Sequence, residues 1–168
     1  MSEPIVNKVA ESALVTIDLE TFLPKEQPLV FDLKEYLFMG LILKEKEFRE
    51  ALRTTDWEVF KNKTVLVTCS ADAIVPVWAY MLIASYLQPQ TNRLFMENKE
   101  QWRKRELLEA IRNTEVNEYA GKRIVIKGCG DEPIPEEAYL EITKKIQPAA
   151  KSIMYGEPCS TVPIYKQK

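Results

Sequence analysis

Histidine is absent from all 168 residues. That excludes the Ser-His-Asp and Cys-His arrangements of nucleophilic catalysis. It also removes the commonest metal ligand and the usual acid or base near neutral pH. Any catalysis by this chain falls to carboxylates, thiols, Lys, Tyr, a cofactor or the backbone. Cysteine is scarce: three residues with no close pair make neither a disulfide framework nor a CxxC redox motif. Positive charge is not in excess, since the net charge is -2, so there is no electrostatic footprint for nucleic acid. The locally basic "KEQWRKR" (Lys99 to Arg105) reads as a solvated helix face. Long apolar runs are missing too. The longest, Ala73 to Leu87, is interrupted by Pro76 and Ser85 and falls short of the roughly 20 residues a bilayer span needs. The opening "MSEPIVNKVAES" lacks the basic start and apolar stretch of a signal peptide, so a cytoplasmic protein is expected.

Phosphate-binding motifs fail one by one. "GCGDEP" places Pro133 where the dinucleotide fingerprint wants its third glycine, and two acids occupy the phosphate side. No GxxxxGK[ST] occurs. Val75 and Pro135 stand six residues past Cys69 and Cys129, where a thiol phosphatase loop has arginine.

What is present is a chain 46% hydrophobic and 29% charged, a balance that suits one compact globular domain, or two small ones sharing a core. Within it lies a repeat. Residues 47–89 align without a gap on residues 106–148 at a constant offset of 59, and 13 of the 43 pairs are identical. Chance would give roughly two or three, so the self-similarity has to be weighed before other fold reasoning. The shared residues include Asp72/Asp131, Pro76/Pro135, Ala79/Ala138, Tyr80/Tyr139, Ile83/Ile142 and Gln88-Pro89/Gln147-Pro148. The similarity carries on, so the repeats are taken as residues 47–98 and 106–157, after an unrepeated segment 1–46 and before a tail 158–168.

Each copy reads helix, strand, helix, strand. "EFREALR" has helical apolar spacing, and "TVLVTC" and "RIVIKG" are β-branched runs with little polar alternation, as in strands covered on both faces. Proline opens each second helix and Gln-Pro closes it. "PLVFDL" (Pro28 to Leu33) and "ALVTIDL" (Ala13 to Leu19) add two earlier strands. Together these predict an α/β fold with a mainly parallel sheet and helices on both of its faces. The tail either folds back to a site or covers a sheet edge.

In such a sheet, ligands bind beyond the carboxyl ends of the strands. The loops there are "CSADAIVP" and "GCGDEPIP". They nominate Asp72, Cys129, Asp131 and Cys159 as ligand-binding residues. Cys69, Cys129, Asp131 and Cys159 make a candidate set for a divalent or soft metal, since thiolates suit soft metals and paired carboxylates suit hard ones. The plainer reading is that the aspartates cap turns and the cysteines are small buried hydrophobes. No residue stands out as catalytic.

The two second helices differ on their outer faces. Copy two carries Glu136, Glu137, Glu141, Lys144 and Lys145 where copy one carries Val77, Trp78, Leu82, Ser85 and Tyr86. The helix in 73–87 is therefore apolar nearly all round and needs a cover. Residues 1–46 could supply it, or a second copy of the chain through Trp78, Leu82 and Tyr86, aromatic residues being enriched at interfaces.

Taken together, "NKVAES", "FMGLILKEKEFREAL", "CSADAIVPVWAYMLIA", "GCGDEPIP" and "MYGEPCSTVPIYK" resemble a bacterial family filed as domain of unknown function 2480. The resemblance covers most of residues 4–166. It implies a cytoplasmic bacterial protein and transfers no catalytic residue.

Overall fold

A computed structural model of the chain describes residues 14–128, 130–157 and 160–168. Among them are nine strands and four α-helices, in the order β1 (Leu14–Asp18), β2 (Leu29–Asp32), β3 (Leu37–Phe38), β4 (Ile42–Leu43), α1 (Glu45–Thr54), β5 (Val65–Thr68), α2 (Val77–Leu87), β6 (Leu94–Phe95), α3 (Lys99–Arg112), β7 (Arg123–Lys127), α4 (Glu136–Ile146), β8 (Ser152–Glu157) and β9 (Ser160–Lys166). Helices α2 and α4 start 59 residues apart and end 59 residues apart. Both start one residue after the repeated proline and have as C-cap the Gln before the second one. Residues 73–76, counted with the helix from the sequence, precede it: Pro76 is its extended N-cap residue.

The chain divides into two compact units, one of residues Lys25–Arg103 and one of the segment up to Pro24 with Lys104–Lys168. Each has its own sheet. In the Lys25–Arg103 unit the strand order is β2-β5-β6, all parallel. In the other it is β1-β7-β8-β9, parallel except for β9. β3 and β4 form a small antiparallel hairpin. A single sheet was the simplest reading of alternating strands and helices. It is replaced by separate, mostly parallel sheets because the two early strands part company: β2 pairs with β5, while β1 pairs with β7. The tail covers an edge, since β9 runs antiparallel along β8. Pro163 in β9 lacks an N–H, which helps keep the outer rim from recruiting another strand.

The two cores use matching positions. One holds Phe48, Leu52, Val65, Val67, Ala79, Ile83 and Leu87, with Phe31 and Leu33. The other holds Leu107, Ile111, Ile124, Ile126, Ala138, Ile142 and Ile146, with Ile17 and Leu19. The first seven of each set stand 59 residues apart. Residues of both helices join one core with alternate strand residues such as Val65 and Val67. Leu66 and Val125, facing the other way, are also fully buried, which accounts for the unalternating apolar strands. Each buried Leu or Ile contributes about 1.5–3 kcal/mol of transfer free energy.

One residue assigned to the wet face of α4 is in fact buried. Glu141 keeps only 8% of its surface. Lys144 Nζ at 2.7 Å and Arg112 Nε at 3.2 Å hold its carboxylate. A carboxylate so placed needs such partners to stay charged.

Both early strands end in the same device. Asp18 closes β1 and accepts a hydrogen bond from Glu20 N at 3.1 Å, capping a 3₁₀ turn of Leu19–Phe22. Asp32 closes β2 and accepts from Lys34 N at 3.0 Å, capping a 3₁₀ turn of Leu33–Tyr36. Asp32 also accepts from Ser70 N at 3.0 Å and Ser70 Oγ at 2.5 Å, tying the end of β2 to the end of β5. Burial by itself would raise the Asp32 carboxyl's pKa; the Ser70 and Lys34 hydrogen bonds outweigh burial and hold it below its ordinary value of 3.8. A carboxyl so depressed adds stability that is complete above 3.8 and lost as pH falls through the lower folded value. Asp32→Ala is therefore expected to cost about 1–3 kcal/mol near neutral pH. The gap to the parent should narrow as pH falls below 3.8 and the carboxyl protonates, as urea denaturation across a pH series will measure.

Candidate functional site

The carboxyl ends of the parallel strands are where such sheets place ligands, and the two units differ there. In the Lys25–Arg103 unit that end is self-satisfied. The Asp32 carboxylate is taken up by Ser70 and Lys34. The half-buried Cys69 directs its Sγ to Ala71 O at 3.6 Å. Burial pushes the Tyr80 hydroxyl's pKa up, and the nearby Cys69 adds to the shift.

In the other unit the same end is more open. Lys127, the last residue of β7, sets Nζ 3.3 Å from Asp18 Oδ2 at the end of β1. Its pKa is raised by the Asp18 hydrogen bond, then by the charges of Glu157, Asp18 and Glu20, against a small opposing effect of burial. Glu20 Oε1 is buried without a hydrogen-bond partner among the described residues. A Cβ at Gly130 would collide with the Glu20 carboxylate, and a Cβ at Gly128 would collide with the Tyr139 hydroxyl. These two glycines earn their place by lending their missing side-chain volume to neighbours. The position matching Gly128 in the Lys25–Arg103 unit, 59 residues earlier, is Cys69. Tyr139 therefore reaches into space that a side chain fills in the other unit.

The Tyr139 ring also forms a wall of a cavity of about 330 Å³, lined by Ile126, Tyr139, Thr143, Met154, Tyr155 and Ile164. Strands β7, β8 and β9 and helix α4 each contribute at least one residue. The lining is mainly apolar, and the size lies in the range of about 300–1,000 Å³ typical of small-molecule sites. Tyr139 and Tyr155 meet edge to face, with centroids 5.8 Å apart and planes at 72°. Such pairs hold their geometry well. Thr143 Oγ1 donates to Tyr139 O at 2.7 Å along the helix, which leaves the Thr143 methyl as its apolar contribution.

The residues nominated from the sequence fare unequally. Asp72 and Asp131 are exposed, and neither makes a hydrogen bond or ion pair among the described residues, so neither caps its turn there. Asp72 and Cys69 belong to one unit and Asp131 to the other. Cys129 and Cys159 lie outside the described residues. Among the described residues, no three Cys, Asp or Glu side chains stand together as a metal site would require. The strand-end groups that do interact are Asp18, Glu20, Lys127 and Glu157. Their signal was a second, shorter repeat: "TIDLETFL" and "VFDLKEYL" share Asp-Leu at an offset of 14 rather than 59.

The close approach of Tyr139 to Gly128 makes a specific demand. Gly128→Ala should displace the Tyr139 ring and lower stability by about 1–3 kcal/mol, as overpacking does. Cys69→Ala, at the matching place where a Cβ already stands, should cost less. Thermal unfolding of the two variants measures the difference.

No helix among the described residues is long and apolar enough to cross a membrane. No curated protein and no solved structure matches the chain. The family model described as protein of unknown function (DUF2480) matches residues 3–167, and the chain belongs to that family.

Proposed function

We propose that this chain is an internally duplicated α/β protein, with repeats 47–98 and 106–157, that binds a small and mainly apolar molecule in its second copy. The observation that carries the reading is the cavity on α4, β7, β8 and β9, walled by Tyr139 and Tyr155 and lying beside the carboxyl ends of the strands. Its apolar wall supplies affinity through burial, at about 25 cal/mol per Å² removed from water. The charged group of Asp18, Glu20, Lys127 and Glu157 stands at the strand ends, where a polar substituent of the ligand is oriented. The duplication reading draws on the matched helix limits, matched core positions and matched strand order of the two units.

Indole serves as a neutral aromatic probe of the cavity. Its addition should shift the backbone amides of Ile126, Tyr139, Thr143 and Tyr155 in a saturable way. Thr143→Trp, which fills the cavity, should weaken binding at least ten-fold, or about 1.4 kcal/mol. Shifts that do not saturate, or equal affinity in Thr143→Trp, would defeat the reading.

A second reading, an interaction module acting through α2, rests on a different observation. Trp78 and Tyr86 are half-buried within their own unit. Trp78 stands beside Phe48 at 6.2 Å, and Tyr86 stacks on Trp57 at 5.0 Å. Much of the cover expected from residues 1–46 or from a second copy is thus supplied by α1 and the turn after it. What stays open is Val77 (75% exposed) and Met81 (69%), one turn apart on α2, with Ile74 (92%) in the segment before it. On this reading a second copy meets that side across a two-fold axis. Light scattering at high concentration should then give a dimer that Met81→Glu abolishes; a strict monomer would rule it out.

A further inference from the structure

The Lys25–Arg103 unit has a second cavity, of about 410 Å³, at the opposite end of its sheet from Asp32. It is lined by Asn62 and residues 88–93. Two chain segments build it: the turn before β5, and the turn that leaves α2 at Gln88 and leads toward β6. The backbone there has an unusually clear reference, because the other unit makes the same turns. Asn62 (φ 57°) donates its N–H to Gln90 O at 3.0 Å. Gly121 (φ 68°), 59 residues later, donates to Ala149 O at 2.8 Å. Gln90 N and Thr91 N both donate to Leu87 O at 2.9 Å, and Ala149 N and Ala150 N both donate to Ile146 O at 3.0 Å.

The side chains do not correspond. Where this unit has Asn62, Gln90, Thr91, Asn92 and Arg93, the other has Gly121, Ala149, Ala150, Lys151 and Ser152. The turns therefore form without the carboxamides of Asn62, Gln90 and Asn92. A left-handed position is easiest for Gly, and Asn62 holds it with a side chain the turn does not need. With Gln88, four carboxamides border one cavity.

We infer that this cavity is a binding site for a neutral polyhydroxyl molecule, a sugar or cyclitol ring. Carboxamides both donate and accept hydrogen bonds, and so do hydroxyl groups, so the two satisfy each other in many orientations. Anionic ligands are disfavoured in two ways. The cavity lies at the C-terminal end of α2, the negative end of the helix dipole, which repels anions. The charge on Arg93 is engaged by Glu26, at 2.6 Å, and Glu26 also accepts from Thr64 N at 3.2 Å, so no free cation is offered to an anion. The Pro89 ring adds an apolar surface of the kind that the C–H face of a sugar ring covers. Thr91 is 7% exposed, and its hydroxyl accepts from Arg93 N at 3.1 Å, which fixes the wall of the site. The comparison of side chains uses the proposed duplication; the cavity and its lining do not.

The full chain is titrated with D-glucose, D-galactose and myo-inositol, and with inorganic phosphate as the charged control, while backbone amide shifts are followed by NMR. At least one of the three neutral probes should shift residues 62 and 88–93 saturably, with a Kd in about the millimolar range expected for a small, polar, solvent-open site. The triple variant Asn62→Gly, Gln90→Ala, Asn92→Lys installs the residues found 59 positions later and keeps every backbone bond of the turns. It should lose at least ten-fold in affinity while its thermal unfolding stays close to that of the parent; Gln90→Ala alone serves if the triple variant is unstable. No saturable shift with any neutral probe, undiminished affinity in these variants, or a response to phosphate in place of the sugars would overturn the inference. Shifts confined to Ile126, Tyr139, Thr143 and Tyr155 would instead point the sugars to the other cavity and overturn it equally.

Discussion

The fold rests on how its parallel strands find partners. A parallel pair cannot be closed by a tight turn, so each strand must be met by one that arrives after a long connection. Here β5 and β6, and β7 and β8, are joined in the ordinary way through α2 and α4. The third strand of each sheet comes from the start of the chain. β1 and β2 follow one another in sequence but go to different sheets, and Leu14 of β1 pairs with Arg123, 109 residues on. Without β1, β7 would lose a full parallel ladder, and Ile17 and Leu19 would leave their core. That pairing also sets the candidate site, because Asp18 meets Lys127 only when Leu14 is in register with Arg123. A slip of one residue would turn Ile17 outward and separate the ion pair.

This arrangement decides how much of the fold can be read from the residues. Within residues 47–157 the offset of 59 is constant, so helix limits, central strands and core positions stand out as a repeat with no gap. The leading strands escape that comparison. They sit side by side at an offset of 14, so each looks like an unrepeated strand, and the capping pair Asp18 and Asp32 goes unnoticed. For the same reason the sheet count is not legible: strand patterns state that a strand is covered on both faces, not which neighbour it pairs with. Glu141 was misplaced on other grounds. Helical periodicity put it on the polar face, but Arg112 of α3, a long-range neighbour, compensates its charge and allows it to be buried.

The candidate site illustrates a similar limit. The sequence directed attention to residue types with reactive groups, the loop aspartates and the cysteines. Asp72 and Asp131 stand at matching positions of the two units, yet they are exposed. The cavity is instead walled by Tyr139 and Tyr155, and Gly128 leaves room for the Tyr139 hydroxyl. Gly128 matters for the volume it does not occupy, and volume shared between segments is not written in any local pattern. Only the mismatch Cys69/Gly128 hinted at it, as a position where two otherwise similar units had to differ.

Mismatch between equivalent positions is the more general guide here. Where both units keep an apolar residue, as with Ala79/Ala138 and Ile83/Ile142, the side chain packs a core, and the requirement is met twice by the same physics. Where one unit keeps a plain solution and the other departs from it, the plain solution proves that the fold does not demand the departure. Gly121 and Ala149 stand at the matching places of their turn without a polar side chain, so the turn does not require the carboxamides of Asn62 and Gln90. Cys69 fills the corner beside Tyr80, so the vacancy at Gly128 answers to something else as well. The departures fall at opposite ends of their respective sheets: at the amino end in the unit of β2, β5 and β6, and at the carboxyl end in the unit of β1, β7, β8 and β9. Under the proposed duplication, each copy therefore holds one end of the architecture fixed and is released at the other. That gives one chain two chemically unlike cavities without asking either core to change.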